Sequence, residues 1–105
     1  MIVTFEKEYL RDLYETGKTS DKKYRFQPGI VRKYIQCINL MRRVPDTNTL
    51  ARYNGLNFEN LQGDKQGISS VRVNLQYRIE FTVTDSGVEL VATICNILEL
   101  SKHYK

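Results

Sequence analysis

From Val71 to Val83 every odd position is apolar and every even position is polar. Val71, Val73, Leu75, Tyr77, Ile79, Phe81 and Val83 alternate with Arg72, Asn74, Gln76, Arg78, Glu80 and Thr82. A period of two marks extended chain with one face in a core and the other toward water. The run is longer than the usual strand of about 3–10 residues, and Asn74-Leu75-Gln76 holds its best turn former. The stretch therefore reads as a hairpin, Ile68–Val73 against Tyr77–Val83, closed by a loop of about three residues. An odd-length loop keeps the alternation in phase. Val73 then faces Tyr77 and Val71 faces Ile79 on the buried side, while Arg72 meets Arg78 on the open side. Like charges opposed across a sheet repel by about a few tenths of a kcal/mol. An anion between them would relieve that.

The 105 residues read as one domain, 1–105, with a single core. A chain that is 41% hydrophobic and 27% charged has globular composition, which sets aside a disordered or fibrous protein. Met1–Phe5 runs straight into Glu6, Lys7 and Glu8, unlike a signal peptide. No apolar run approaches the roughly 18 residues of a membrane span. The expectation is a cytoplasmic protein without a membrane partner. Cys37 and Cys95 lie in apolar segments without metal-type spacing and read as reduced packing residues. No metal or other cofactor is expected. A net charge of +4 points to an anionic partner, a signal of low specificity by itself.

Before the hairpin, Ile2, Val3 and Phe5 predict a short strand, and Glu6–Glu15 a helix with Tyr9, Leu10, Leu13 and Tyr14 as its apolar stripe and Gly17 as its stop. Lys18–Arg25 is a basic connection, read as a solvated loop in preference to a dedicated RNA contact. Pro28 opens the strongest helix, with Ile30, Val31, Tyr34, Ile35, Ile38 and Met41 at helical spacing, ending before Pro45. Arg32, Lys33, Arg42 and Arg43 fall on its outer face, which reads as solvated in preference to a contact with ribosomal RNA. Asp46 or Thr47 caps a further turn of helix through Leu50 and Tyr53, and Leu56, Phe58 and Leu61 alternate into a strand. After the hairpin, Thr84-Asp85-Ser86-Gly87 reads as a turn that sets Val83 against Val88, Phe81 against Leu90, Ile79 against Ala92, Tyr77 against Ile94 and Arg78 against Thr93. Cys95, Ile97, Glu99, Ser101 and His103 share the parity of Thr93. The apolar Ile97 breaks the polar pattern on that face, and the parity is not carried past Leu100. The fold class is α+β, two N-terminal helices packed on a mostly antiparallel, twisted sheet of about four to five strands.

Arg78 is a forked, permanent cation matched to phosphate oxygens; its other reading is a sheet arginine paired with Glu80 or a neighbour. His103, the only histidine, is of the residue type whose unperturbed pKa suits proton transfer near neutral pH, or is a surface residue near the end of the chain. Glu59 reads as a carboxylate base or an exposed strand glutamate. Asn74 and Gln76 read as turn residues and Tyr77 as a core residue.

The segment Gly63-Asp64-x-x-Gly67 followed by Ser70-Val71-Arg72-Val73-Asn74-x-Gln76-Tyr77-Arg78-Ile79-x-Phe81 resembles the HigB branch of the RelE superfamily. Those are toxins of bacterial toxin–antitoxin pairs that cut messenger RNA on the ribosome. The likeness covers the C-terminal half closely and the N-terminal half in layout. It implies a RelE-like fold and a metal-independent, ribosome-dependent endoribonuclease cleaving messenger RNA in the A site. It also implies a HigA-type antitoxin as partner, with operator DNA reached only through the antitoxin complex. Arg78 falls on the family's catalytic arginine in its Tyr/Trp-Arg-Ile motif. His103 matches the catalytic histidine of a terminal Asp-Tyr-His, but Ser101 and Lys102 replace the aspartate and tyrosine, and Tyr104 is the candidate for the displaced phenol. Where the family often has His-Pro-Leu-Lys-Gly, this chain has Glu59-Asn60-Leu61-Gln62-Gly63. Glu59 thus stands in place of a histidine and Gln62 in place of a lysine. Lys65 is the cation placed to take over, and Arg72 adds to phosphate binding. Two alternatives stay open. One is a ParE-like toxin that poisons DNA gyrase without RNA chemistry. The other is an inactive homologue that acts only as an antitoxin-binding, co-repressing module.

Overall fold

The computed structural model describes residues 1–85 and 93–102. In chain order it comprises strand β1 (Ile2–Phe5), helices α1 (Glu8–Thr16), α2 (Pro28–Arg43) and α3 (Thr47–Ala51), and strands β2 (Glu59–Asn60), β3 (Ser69–Arg72), β4 (Tyr77–Asp85) and β5 (Thr93–Lys102). The five strands form one sheet in the order β1-β5-β4-β3-β2. β1 runs parallel to β5 and every other pair is antiparallel. The expected α+β layering is what the structure has.

Each helix ends where its residues stop it. Gly17 takes a left-handed φ of 74° and its N–H returns to the Leu13 carbonyl at 3.0 Å, a conformation that glycine adopts without strain. Pro28 occupies the first turn of α2, and Val44 leaves the helix in extended conformation, as a residue before proline prefers. Asp46 caps α3, its carboxylate accepting from the Thr49 N–H at 2.8 Å, and that hydrogen bond holds its pKa below the usual carboxylate value. Tyr9, Leu10 and Leu13 of α1 and Ile30, Val31, Tyr34, Cys37, Ile38 and Met41 of α2 turn inward. They meet Val71, Ile79, Phe81, Cys95, Ile97 and Leu100 of the sheet in one core. Tyr34 Oη donates to the Leu10 carbonyl at 2.7 Å, so the buried phenol ties the two helices without an unmet polar atom.

The β3–β4 hairpin has the expected register, with Val71 opposite Ile79 and Arg72 opposite Arg78. Asn74 is the turn residue it was read to be: its Oδ1 accepts from the N–H groups of Gln76 and Tyr77, both at 2.8 Å. Tyr77 packs edge-on against Phe26, with ring centroids 5.6 Å apart.

Two expectations are corrected. Leu56, Phe58 and Leu61 do not form the expected strand: Leu56 closes a 3-10 turn, Asn54–Leu56, Asn57 follows with a left-handed φ of 46°, and Phe58 and Leu61 only flank the two-residue strand Glu59–Asn60. Asparagine tolerates that conformation, and the reversal leaves only Glu59–Asn60 to pair with β3. The register of the last hairpin also differs. Val83 pairs with Cys95, Phe81 with Ile97 and Arg78 with Ser101, not with Val88, Leu90 and Thr93. Val88, Leu90 and Ala92 lie outside the described residues. The physical reason is burial. The expected register leaves Cys95 and Ile97 on the polar face, whereas the actual one puts both in the core, fully buried. Core parity must then switch from odd (Cys95, Ile97) to even (Leu100), and a bulge does this. Glu80 pairs with Glu99 and Phe81 with Ile97, so Leu98 is the extra residue. Past the bulge, the Leu100 N–H donates to Tyr9 Oη at 3.4 Å, anchoring the end of β5 to α1.

Both cysteines are buried and unbridged, and burial pushes each thiol up to about 11. The native protein is therefore expected to release no colour from Ellman's reagent near neutral pH, with both thiols reacting after denaturation. Prompt reaction of the native protein would contradict this packing. No helix among the described residues is long and apolar enough to cross a membrane.

Candidate active site

The helices cover one face of the sheet. The other face carries a row of polar side chains set by register: Glu59 of β2 opposite Ser70 of β3, Ser70 opposite Glu80 of β4, and Glu80 opposite Glu99 of β5. Arg78 stands two residues before Glu80 on the same face, opposite Arg72 on one side and Ser101 on the other. This face was read as wet, yet Ser70, Arg78 and Glu80 are all buried.

Two ion pairs hold it. Arg78 Nη1 donates to Glu59 Oε2 at 2.7 Å and to Ser70 Oγ at 3.0 Å. Glu80 is gripped by Lys65, whose Nζ lies 2.8 Å from Oε2 and 3.1 Å from Oε1, while Ser101 Oγ donates to Oε2 at 3.1 Å. The two pairs differ in which partner is wet. The Arg78 side chain is 10% exposed and that of Glu59 44%; for Lys65 and Glu80 the figures are 51% and 9%. Each pair thus matches one desolvated charge with one that reaches solvent. A buried charge left alone costs several kcal/mol, about enough to explain why each has a partner.

Local structure brings these partners in. The 3-10 turn Gly63–Lys65 opens on a left-handed Gly63, φ 67°, and swings Lys65 over Glu80. Asn57 Nδ2 donates to Glu59 Oε1 at 3.3 Å, steadying the carboxylate that faces Arg78. The anion that relieves the Arg72–Arg78 opposition is therefore Glu59. Glu80, the alternative partner for Arg78, belongs to Lys65.

Of the residues singled out from sequence, the structure brings Arg78, Glu59 and Lys65 into adjoining pairs and sets Arg72 across from Arg78. Arg72 borders a separate shallow cleft with Lys33 and the hairpin turn. Gln62 stays outside this network, its Nε2 3.5 Å from the Asn60 carbonyl. His103 and Tyr104 lie outside the described residues. Ser70 was not singled out, although the hairpin register alone places it opposite Glu80, on the face of Arg78. Ser101 was noted only as a replacement; its contact with Glu80 depends on the bulge at Leu98. No group of three or more His, Cys, Asp or Glu side chains that could hold a metal occurs among the described residues.

Chemically, the face presents an oriented guanidinium backed by a carboxylate and a hydroxyl. Both hydrogen bonds from Arg78 fall on Nη1, one of the three nitrogens of a planar fork that suits a phosphate group. A helix layer on one side of a five-stranded sheet, with a paired guanidinium built into the side opposite the helices, defines a small α+β protein with a buried polar cluster on its sheet.

Residues 3–93 match the family described as the RelE-like toxin of the type II toxin–antitoxin system HigB. The chain is 31% identical over 91 residues to Toxin HigB-1 of Vibrio cholerae serotype O1, across 86% of this chain and 90% of that protein. In fold it is similar to a YoeB/ParE toxin from Agrobacterium tumefaciens, TM-score 0.57 at 18% identity, over 99% of this chain and 100% of that one. It is also similar to the YoeB-YefM complex from Staphylococcus aureus, TM-score 0.54 at 19% identity, over 99% and 98% of the two chains. The chain belongs to the HigB family of RelE-like toxins of type II toxin–antitoxin systems. The matched region contains Glu59, Lys65, Arg72 and Arg78 and stops short of Ser101 and His103.

Proposed function

We propose that this toxin is a ribosome-dependent endoribonuclease that cleaves messenger RNA in the A site, with Arg78 as its principal catalytic residue. The observation that carries this reading is the setting of Arg78: a nearly buried guanidinium, fixed at 2.7 Å from a carboxylate and 3.0 Å from a hydroxyl on the sheet face opposite the helices. Cleavage by the RNA's own 2′-hydroxyl transfers that hydroxyl proton to a base. The oxygen attacks phosphorus, and the 5′-oxygen leaves with a proton from an acid. Arg78 supplies charge to the phosphorane. Glu59 or His103 takes the proton, and His103 returns one to the leaving oxygen. Arg72 and Tyr104 contribute to RNA binding. Lys65, held against Glu80 with its side chain half exposed, offers its remaining donors to a phosphate. Side chains fill every role, so the proposal contains no metal or other cofactor. With so few proton-transfer groups, the substrate must be positioned by something else, and the ribosome fits that need.

Membership of a type II toxin–antitoxin family supports a HigA-type antitoxin partner, and action on the ribosome places the toxin in the cytoplasm. Operator DNA is then reached through that antitoxin. Ser70 is expected to orient Arg78. Ser70→Ala should lower kcat between about 10- and 100-fold with KM little changed, and Ser70→Thr, which keeps the acceptor, should restore it. An equal effect of both variants would deny the hydroxyl its role. The reading itself is tested against gyrase poisoning. Induced cells are expected to stop incorporating amino acids while purified gyrase, given the chain, supercoils DNA at its normal rate. Inhibition of gyrase by both the unchanged chain and Arg78→Ala would overturn the proposal.

A further inference from the structure

On the helix layer, behind the sheet face that bears Arg78, the last turn of α1, the connection 18–27 and the first turns of α2 enclose a cleft of about 560 Å³. Its floor is apolar, with Leu13 buried and Phe26 and Ile35 half-buried. Its rim carries exposed Lys18, Arg25 and Arg32, and no acidic residue lines it. The ion pairs among the described residues are Lys65–Glu80 and Arg78–Glu59, so none of these three cations has a carboxylate partner there. An apolar cleft rimmed by uncompensated charge of one sign is incomplete by itself.

We infer that this cleft is a docking site for an acidic, amphipathic segment of a protein partner, apolar side chains inward and carboxylates against Lys18, Arg25 and Arg32. The volume falls within the range of pockets that take a few side chains, about 300–1,000 Å³. Charge complementarity selects the sign of the partner. The floor selects a protein over a nucleic acid, since a phosphate backbone answers charge alone and gains nothing from an apolar floor, while an unpaired base needs a free ring face to stack on. The aromatic rings here are already spoken for: Tyr24 stacks on Tyr9 at 3.7 Å between centroids, and Phe26 meets Tyr77 at 5.6 Å. Within the proposed toxin–antitoxin reading the occupant is the antitoxin, and its docking here leaves the Arg78 face uncovered.

The test measures affinity for the cognate antitoxin by calorimetry, in a non-toxic Arg78→Ala background, with and without Lys18→Glu, Arg25→Glu and Arg32→Glu together. Affinity should fall about 100-fold or more in the reversed variant. It should fall less in the matching alanine triple, which guards against a folding defect, and should be unchanged in Arg72→Ala. With Arg78 intact, the reversed variant should still cut messenger RNA on ribosomes. Undiminished antitoxin affinity in the reversed variant would overturn the inference. So would loss of cleavage with antitoxin affinity intact, which would assign the cleft to ribosomal RNA. Antitoxin binding involves no RNA chemistry, so a chain that loses its antitoxin on charge reversal but never cuts RNA would sink the endoribonuclease reading alone.

Discussion

Arg78→Ala is expected to reduce cleavage about 10³-fold or more, the scale on which removal of a transition-state cation is felt in phosphoryl chemistry. The same substitution should leave the protein folded. Its partner Glu59 has a side chain 44% exposed and rehydrates when the arginine goes. Ser70 is fully buried and loses its donor, at a cost of about 1–3 kcal/mol. Arg78→Lys is expected to recover little activity. An ammonium keeps the charge but is a point donor, so it cannot serve Ser70, Glu59 and a phosphate with the geometry of a fork. Rates from primer extension beside urea unfolding curves separate loss of chemistry from loss of fold. An Arg78→Ala protein that is folded and fully active would remove Arg78 from the mechanism.

Phe81→Ala should have the largest effect on stability. Phe81 is fully buried, pairs with Ile97 at the bulge and packs against Phe58 with ring centroids 6.2 Å apart. Truncating such a ring costs about 3–5 kcal/mol, against a total of about 5–15 kcal/mol for a domain of this kind. The expected result is a chemical-denaturation midpoint shifted far toward zero denaturant, and loss of toxicity through unfolding alone. A loss below about 1 kcal/mol would mean that the core does not close around this strand as described.

Where local patterns decide structure, the sequence could be read. Pro28 and Pro45 bracket α2, and Asn74 with its odd-length phase determines the β3–β4 register, which puts Arg72 opposite Arg78. Two features lay beyond reach, for different reasons. The β4–β5 register is chosen by burial of Cys95, Ile97 and Leu100 together, which requires the extra residue Leu98. A strict period of two cannot express a bulge. The partner of Arg78 comes from a strand of two residues, Glu59–Asn60, whose place depends on the left-handed turn at Asn57. No periodicity survives in so short a strand. Glu59 was visible as a departure from the family pattern, while its contact with Arg78 became visible only through the sheet. Ser70 was open to inference from the register itself, since the residue opposite Glu80 shares a face with Arg78.

In the proposed function this sheet face cuts RNA only when the ribosome presents it. Primer extension on a defined message tests that most directly, comparing programmed ribosomes with naked RNA, and the unchanged chain with Arg78→Ala. The account predicts cuts within the A-site codon on ribosomes, none on naked RNA, and none with Arg78→Ala. Intact message on ribosomes in the presence of a folded, growth-arresting chain would contradict it.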